Sequence, residues 1–370
     1  MGNEIFIEPI KWCINLYMKI IANRLEIEKY LETKETNILV NNIINDYLEN
    51  FAHDEHETMD GESLYENMLE DLEIDPLDKE FKRLAKAYSL NVFSKLDLDK
   101  YLNNPYVKNI KFADIKFKNY ELSTDFYYPY ELFVASEVTV DSENYYKETN
   151  KLSYFDTKFN YLALKEGGKT WMSLIPHEIE TMDEDIKKAN GNVLVLGLGL
   201  GYFSYMISEK EDVKSVTIIE KDENIINLFT RNILNQFKHK EKIKIIKEDA
   251  INFLKKDIEK YNFVYCDLYH DPFDALPLYI SIKNIENNHQ NIQFRYWIEE
   301  SILCLIRRLV LTIIEETFEN YTDKDYKNAS DYIDKLINKI YFKTKKDVIN
   351  GENELKIYLS NENLKKIILD

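Results

Sequence analysis

Three of the chain's nine glycines fall at positions 197, 199 and 201, directly after the apolar run Val193-Leu-Val-Leu196. A second apolar run, Val216-Thr-Ile-Ile219, ends in Glu220, and a third, Ile243-Lys-Ile-Ile246, leads to Asp249. A fourth, Phe263-Val-Tyr-Cys266, ends in Asp267. Lacking a Cβ, Gly197, Gly199 and Gly201 let a backbone turn tightly and approach a ligand closely. Glu220 suits the two hydroxyls of a ribose, because a carboxylate accepts hydrogen bonds more strongly than a neutral group. Asp249 suits an exocyclic adenine amine, and Asp267 stands where the reacting end of such a ligand would lie. Each feature alone has a plainer reading: glycine turns follow strands without any ligand, and acids often end strands. Four strand ends in series, each with a fitting residue, point to nucleotide binding.

The elements that must position these residues are legible around them. Strand, glycine turn, helix, strand and acid form the nucleotide-binding half of a doubly wound α/β sheet, predicted over residues 191–282 with parallel strands and right-handed crossovers. Asp222 is the predicted N-cap of a helix carrying Ile225, Ile226, Phe229 and Ile233, and Ile251–Glu259 a short helix. Upstream, residues 105–190 read as a small β-rich module. Its predicted strands are Tyr106–Phe117 and Glu131–Val140, with a hairpin turning at Gly167-Gly168. A helix over Pro176–Lys188 follows, with Pro176 in its first turn.

Residues 1–104 carry helical spacing at Ile14, Met18, Ile21 and Leu25, and again at Ile38, Ile43, Ile44 and Leu48. The acidic stretch His53–Glu62 interrupts them; two histidines among carboxylates suit a metal, but an exposed acidic loop is the favoured reading. Residues 283–370 are predicted mainly helical. Tyr296–Phe318 is taken as one long helix rather than a strand at Leu309–Ile314, and Leu355–Leu359 as a short strand.

Composition narrows the function. A formal charge of −18 over 370 residues argues against sequence-independent nucleic-acid binding, which demands a basic surface. It suits a cationic small substrate, or solubility alone. Cys13, Cys266 and Cys304 are too few and too scattered for a disulfide framework, which fits a reducing cytosol. Glu4, Glu8, Lys11 and Lys19 interrupt any N-terminal signal sequence. No window approaches the ~20 apolar residues of a membrane span. The expectation is a cytoplasmic protein with no membrane or metal partner, a homodimer being an admissible assembly.

A dinucleotide fingerprint needs a glycine where Tyr202 stands, for close packing of helix on strand. The spacing instead suits an adenosyl ligand without a pyrophosphate. On these residues, the segment from about 150 to 282 resembles the class I S-adenosylmethionine-dependent methyltransferases, and within them the spermidine synthase-like branch. Val195 is apolar as in that branch, where common methyltransferases carry an acid. His177-Glu178 matches the branch's His-Glu pair on the helix before the glycine strand.

The resemblance implies a Rossmann-like class I methyltransferase sheet, preceded by the β-rich module and flanked by the helical regions. It implies contacts to S-adenosylmethionine from Gly197, Leu198, Gly199, Gly201, Glu220, Asp249 and Ala250. Asp267 would lie near the transferred group, and His177, Glu178 and Tyr269 on the substrate side. Two departures bear on the reaction. Leu200 stands where aminopropyl transferases place an aspartate that pairs with the amine of decarboxylated S-adenosylmethionine. Asp267-Leu-Tyr-His-Asp271-Pro272 replaces their Asp-Ser-Thr-Asp-Pro and is one residue longer.

Leu200 therefore leads to the expectation of methyl transfer from S-adenosylmethionine to a small-molecule or protein acceptor. Aminopropyl transfer to a polyamine is the alternative, and a non-catalytic interaction protein of the same fold the second alternative. A sulfonium donor leaves as a neutral thioether, so the enzyme mainly aligns the nucleophile. An amine or hydroxyl acceptor also needs a base. Asp267 or Asp271 would serve an amine, and His270 a hydroxyl. His270 also reads as a solvated loop residue, and His177 as a packed helix residue. Trp171 and Tyr269 are candidates for the pocket wall.

Overall fold

A computed structural model describes residues 19–20, 24–53, 60–111, 113–256, 258–318, 332–345 and 347–369. A five-stranded, wholly parallel sheet comprises β5 (Gly191–Leu196), β6 (Val213–Glu220), β7 (Ile243–Lys247), β8 (Phe263–Cys266) and β9 (Gln293–Tyr296). The strands lie in the order β7-β6-β5-β8-β9. Strand order reverses at β5, so a crevice opens beyond the carboxyl ends of β5 and its neighbours. The apolar runs of β5 and β8 are continuous rather than alternating because both faces of a parallel sheet are covered. All four of Val193–Leu196 and all four residues of β8 are buried.

Three of the four helices that follow these strands start where an aspartate side chain satisfies their first N–H groups, and the first of the four starts at a glycine instead. The helix α7 (Tyr202–Ser208) follows Gly201, whose φ of 76° lies in the left-handed region. Asp222 caps α8 (Glu223–Asn232) as expected, its carboxylate accepting from the N–H of Asn224. Asp249 caps α9 (Ala250–Leu254), shorter than the helix predicted there. Asp271 caps α10 (Pro272–Glu286) through a full capping box with Asp274.

Ahead of the sheet, β1 (Ile115–Phe117), β2 (Tyr120–Tyr127), β3 (Phe159–Glu166) and β4 (Lys169–Ser173) form an antiparallel sheet in the order β4-β3-β2-β1. Glu166 pairs with Lys169 across the Gly167-Gly168 turn, as predicted. The single strand predicted over Tyr106–Phe117 is not formed. Asn104 caps the helix α5 (Pro105–Asn109), with proline at its first position, and only β1 remains of the strand. Glu131–Val140 holds two short strands, Phe133–Val134 and Thr139–Asp141, in separate sheets. The predicted helix α6 spans Pro176–Lys188.

The described residues within 33–306 pack as one unit, and those within 1–32 and 307–368 as another. In the first unit, Val40, Ile44 and Tyr47 of α1 (Arg24–Asn50) share a core with Leu64 and Met68 of α2 (Gly61–Asp71), Tyr88 of α3 (Lys79–Tyr88), Leu132 and Leu152. The helix α4 (Leu98–Leu102) lies between α3 and α5 in sequence. In the second, Lys19–Ile20 pairs in parallel with Val348–Ile349, and the buried Arg307 donates from Nε to the carbonyl of Leu359 at 3.0 Å. Leu355–Leu359, expected as a strand, belongs instead to the helix Glu352–Tyr358 and its C-cap. Tyr296–Phe318 divides into the last residue of β9 and a helix over Glu299–Phe318. No described helix is long and apolar enough to cross a membrane. Cys13, Ile14, Met18 and Ile21 lie outside the described residues, as does most of the acidic stretch after His53. His53 itself stands 2.8 Å from the carboxylate of the buried Glu131.

Candidate active site

The carboxyl ends of β5, β6, β7 and β8 open into a cavity of about 730 Å³, a size suited to a nucleoside-type ligand with a second small molecule. Gly197, Leu198, Gly199, Gly201, Glu220, Asp249, Ala250, Asp267, Glu178, Tyr269 and His270 all line it. The sequence positions singled out as strand ends are thus brought together by one sheet.

At the β5 end, the three glycines have different physical reasons. A Cβ on Gly197, at φ 96°, would overlap the backbone carbonyl oxygen of Asp267. A Cβ on Gly201 would overlap the ring of Phe229. Both are demanded by packing as well as by any ligand. Gly199, at φ 55°, has room for a Cβ but sits in a backbone conformation that side chains rarely adopt.

Glu220 is held in place at the cavity wall. One carboxylate oxygen accepts from the N–H of Leu198 at 3.2 Å and the other from the N–H of Asp222 at 2.8 Å. Each oxygen keeps lone-pair capacity for one more donor, which matches a vicinal pair of ribose hydroxyls. Asp249 spends Oδ1 on the N–H of Asn252, at 2.9 Å, as the cap of α9. These acceptors therefore fit the hydroxyls and amine of an adenosyl group.

Across the crevice, α6 and β8 bring two acids to the cavity. Pro176 starts α6, which places Glu178 in its first turn. Burial raises the Asp267 carboxyl to about 7, with the neighbouring His270 acting in the opposite direction. The Glu178 carboxyl is held well above its ordinary range, by burial first and then by the charge of Asp267. Such a pair holds a proton readily near neutrality and attracts a cation strongly.

Two expected substrate or catalytic residues lie off the cavity wall, and two that line it have polar groups engaged elsewhere. Asp271 is not in the cavity wall: its Oδ1 accepts from the N–H groups of Phe273 at 2.7 Å and Asp274 at 3.0 Å, so it is a helix cap. His177 also lies off the wall, its ring edge-on to Trp297 at 6.2 Å. Burial lowers the His177 imidazole to about 4, opposed by a hydrogen bond to the Ser136 backbone. Tyr269 does line the cavity, but its hydroxyl donates to the carbonyl of Trp297 at 2.7 Å, so it offers mainly its ring. His270 stands at the exposed rim, with Nδ1 3.1 Å from Asp274 Oδ2 and its ring edge-on to Trp171 at 4.4 Å.

Sequence reasoning missed Asp274, Tyr120 and Asp222 as wall residues. The spacing Asp271-x-x-Asp274 is itself a capping-box signature that separates the two acids' roles. Tyr120 donates to Asp222 Oδ2 at 2.6 Å. It arrives through the β2–β3 register, which pairs it with Glu166, and no local signal announces that. Among the described residues no cluster of three or more His, Cys, Asp or Glu is arranged to hold a metal.

Residues 176–281, which carry Glu178, the glycine turn, Glu220, Asp249 and Asp267, match the family model described as Spermine/spermidine synthase domain. No curated protein sequence matches the chain. Among solved structures, the chain is similar to spermidine synthase from Thermotoga maritima, at 12% identity and a TM-score of 0.28, over 41% of this chain and 59% of that one. It is likewise similar to a spermidine synthase in complex with the transition state analogue AdoDATO, at 13% identity and a TM-score of 0.28, over 41% of this chain and 58% of that one. The chain thus spans less than two thirds of either structure's length. The family match corrects the expectation of a methyltransferase, and with it the inference from Leu200 to methyl transfer: the domain matched is that of spermine and spermidine synthases.

Proposed function

We propose that this chain is an aminopropyl transferase, moving the aminopropyl group of decarboxylated S-adenosylmethionine to an amine of a polyamine-type acceptor. The observation that carries the reading is the charge of the cavity wall. Glu178, Glu220, Asp249, Asp267 and Asp274 face it, and among the described lining residues Lys221 is the only lysine or arginine. Such a wall favours cations on both partners and opposes a donor that still carries its carboxylate. The match of residues 176–281 to the Spermine/spermidine synthase domain supports the same reading.

When bound, the donor supplies a sulfonium whose adjacent carbon takes the lone pair of the amine and releases a neutral thioether. The chain's part is to hold and deprotonate. Glu220 would hold the ribose and Asp249 the adenine amine. Asp267, raised to about 7, is poised to take a proton from the acceptor's ammonium, since an efficient base has a pKa near the working pH. Glu178 supplies the second carboxyl that orients the amine. Trp171, His270 and Asp274 stand together on the cavity wall and combine an aromatic face with a carboxylate, a combination that attracts alkylammonium groups.

The test is to incubate the full chain with decarboxylated S-adenosylmethionine and a diamine, following release of methylthioadenosine and the lengthened polyamine. Turnover is expected with the decarboxylated donor and not with S-adenosylmethionine. Methyl transfer from the latter, without aminopropyl transfer from the former, would overturn the reading.

A further inference from the structure

We infer that Tyr265 is a specificity-determining residue of this cavity, its hydroxyl accepting an N–H of the donor's terminal ammonium. The inference rests on the aminopropyl-transfer reading and deepens it.

Tyr265 sits mid-strand in β8, between Val264 and Cys266, paired in register with Val195 of β5. Its side chain is fully buried, yet it lines the cavity. The hydroxyl has no hydrogen-bond partner among the described residues. The ring is fixed by a parallel stack on Phe203 of α7, with centroids 3.8 Å apart and planes 8° from parallel. That stack needs no oxygen. Phenylalanine would keep it and avoid burying an unpaired hydroxyl, which costs the full desolvation of the group. Packing therefore explains the ring and leaves the oxygen unexplained.

The neighbourhood says what the oxygen would meet. Glu178 and Met182, one helical turn apart on α6, line the same cavity as Tyr265, Phe203 and Asp267. An alkylammonium carries three N–H donors and no acceptor. A phenol oxygen together with carboxyl groups supplies acceptors, while Met182 and Phe203 supply apolar contact for a methylene chain. Leu200, on the glycine turn, also lines the cavity and offers no acceptor side chain. A donor carrying a carboxylate would instead set an anion against Glu178 and Asp267, with only a neutral hydroxyl to receive it.

The experiment is calorimetric titration of the full chain and of Tyr265→Phe with two probes. One is decarboxylated S-adenosylmethionine; the other is its propyl analogue lacking the terminal amine. The variant keeps the Phe203 stack and relieves an unpaired polar atom, so its thermal midpoint should be unchanged or raised. The expected result is a loss of about ten-fold or more in affinity for the amine-bearing donor, with affinity for the propyl analogue unchanged. Equal affinities of wild type and variant for the amine-bearing donor, or equal losses for both probes, would overturn the assignment. If wild type binds the donor but transfers nothing to any polyamine, the functional reading falls while the titrations still decide the role of Tyr265. If wild type does not bind the donor, both fall.

Discussion

Glu178, in the first turn of α6, and Asp267, at the end of β8, line one cavity, where burial first and then the charge of Asp267 raise the carboxyl of Glu178. Two like groups in a shared low-dielectric space cannot both ionise freely. A pair of this kind is costly to keep ionised in an empty fold and is relieved by a bound cation. Their placement ties the stability of the chain to the chemistry proposed for it.

The pH dependence follows from that pair. Asp267 is raised to about 7 in the folded chain, against about 3.9 for an aspartate in an unfolded one. The protonated form is therefore favoured by folding. The stability it contributes is complete below about pH 4 and is lost as pH rises through about 7. Catalysis runs the other way, because a base must be ionised. Aminopropyl transfer should rise with pH through about 7, and Asp267→Asn should lower kcat by about a hundred-fold or more and remove that rise. The same variant should melt higher than wild type at pH 8. A pH–rate profile and thermal melts at pH 5 and 8 check both halves; a variant that keeps the wild-type profile excludes Asp267 as the base.

The readable parts of the fold and site share a physical reason. Strands buried on both faces, such as Val193–Leu196 and Phe263–Cys266, write themselves as unbroken apolar runs, and the residues that end them are conspicuous. The edge strand Gln293–Tyr296 alternates exposed and buried positions and carries an arginine, so it merges with the helix that follows. Asn104-Pro105 starts a helix whose later residues alternate like a strand, and five residues at 355–359 are too few to settle a period. Asp271 has the right residue type but spends its carboxylate on a helix end. Tyr265 was hidden for the opposite reason: within an apolar strand its ring looks like core, and only the cavity and the missing partner expose the hydroxyl.

Glu220 should matter for donor affinity more than for fold. Glu220→Ala is expected to weaken binding of decarboxylated S-adenosylmethionine by about 1.5–3 kcal/mol, the worth of hydrogen bonds to a charged acceptor. Glu220→Gln keeps the volume and one acceptor oxygen, so its loss should be smaller. Calorimetric titration measures both; an unchanged Kd in the alanine variant would remove Glu220 from the ribose site.

Asp271 gives the opposite separation. As the N-cap of α10 it accepts from two backbone N–H groups, and removal of such a cap typically costs about 1 kcal/mol of stability. Asp271→Ala should therefore lower the unfolding free energy, measured by chemical denaturation, by that amount. Its kcat, measured at a temperature where the variant remains folded, should stay close to that of wild type. A loss of kcat comparable with that of Asp267→Asn would restore Asp271 to the reaction.

The glycine turn allows its structural and ligand roles to be separated by substitution. Gly197→Ala would force a Cβ into the carbonyl oxygen of Asp267. Backbone of a neighbouring central strand has nowhere to move, so positive-φ strain and steric overlap add, and the cost should exceed about 3 kcal/mol. Gly201→Ala meets the ring of Phe229 instead, a side chain that a smaller residue can replace. Phe229→Leu should therefore recover part of the stability lost by Gly201→Ala and none of that lost by Gly197→Ala. Gly199→Ala meets only the sulfur of Met172, at 3.5 Å, so strain in φ alone should cost about 1–3 kcal/mol. Denaturant unfolding of the three single variants and the two Phe229 doubles gives the ordering; equal losses at 197 and 199 would show that the contact with Asp267 does not govern the turn.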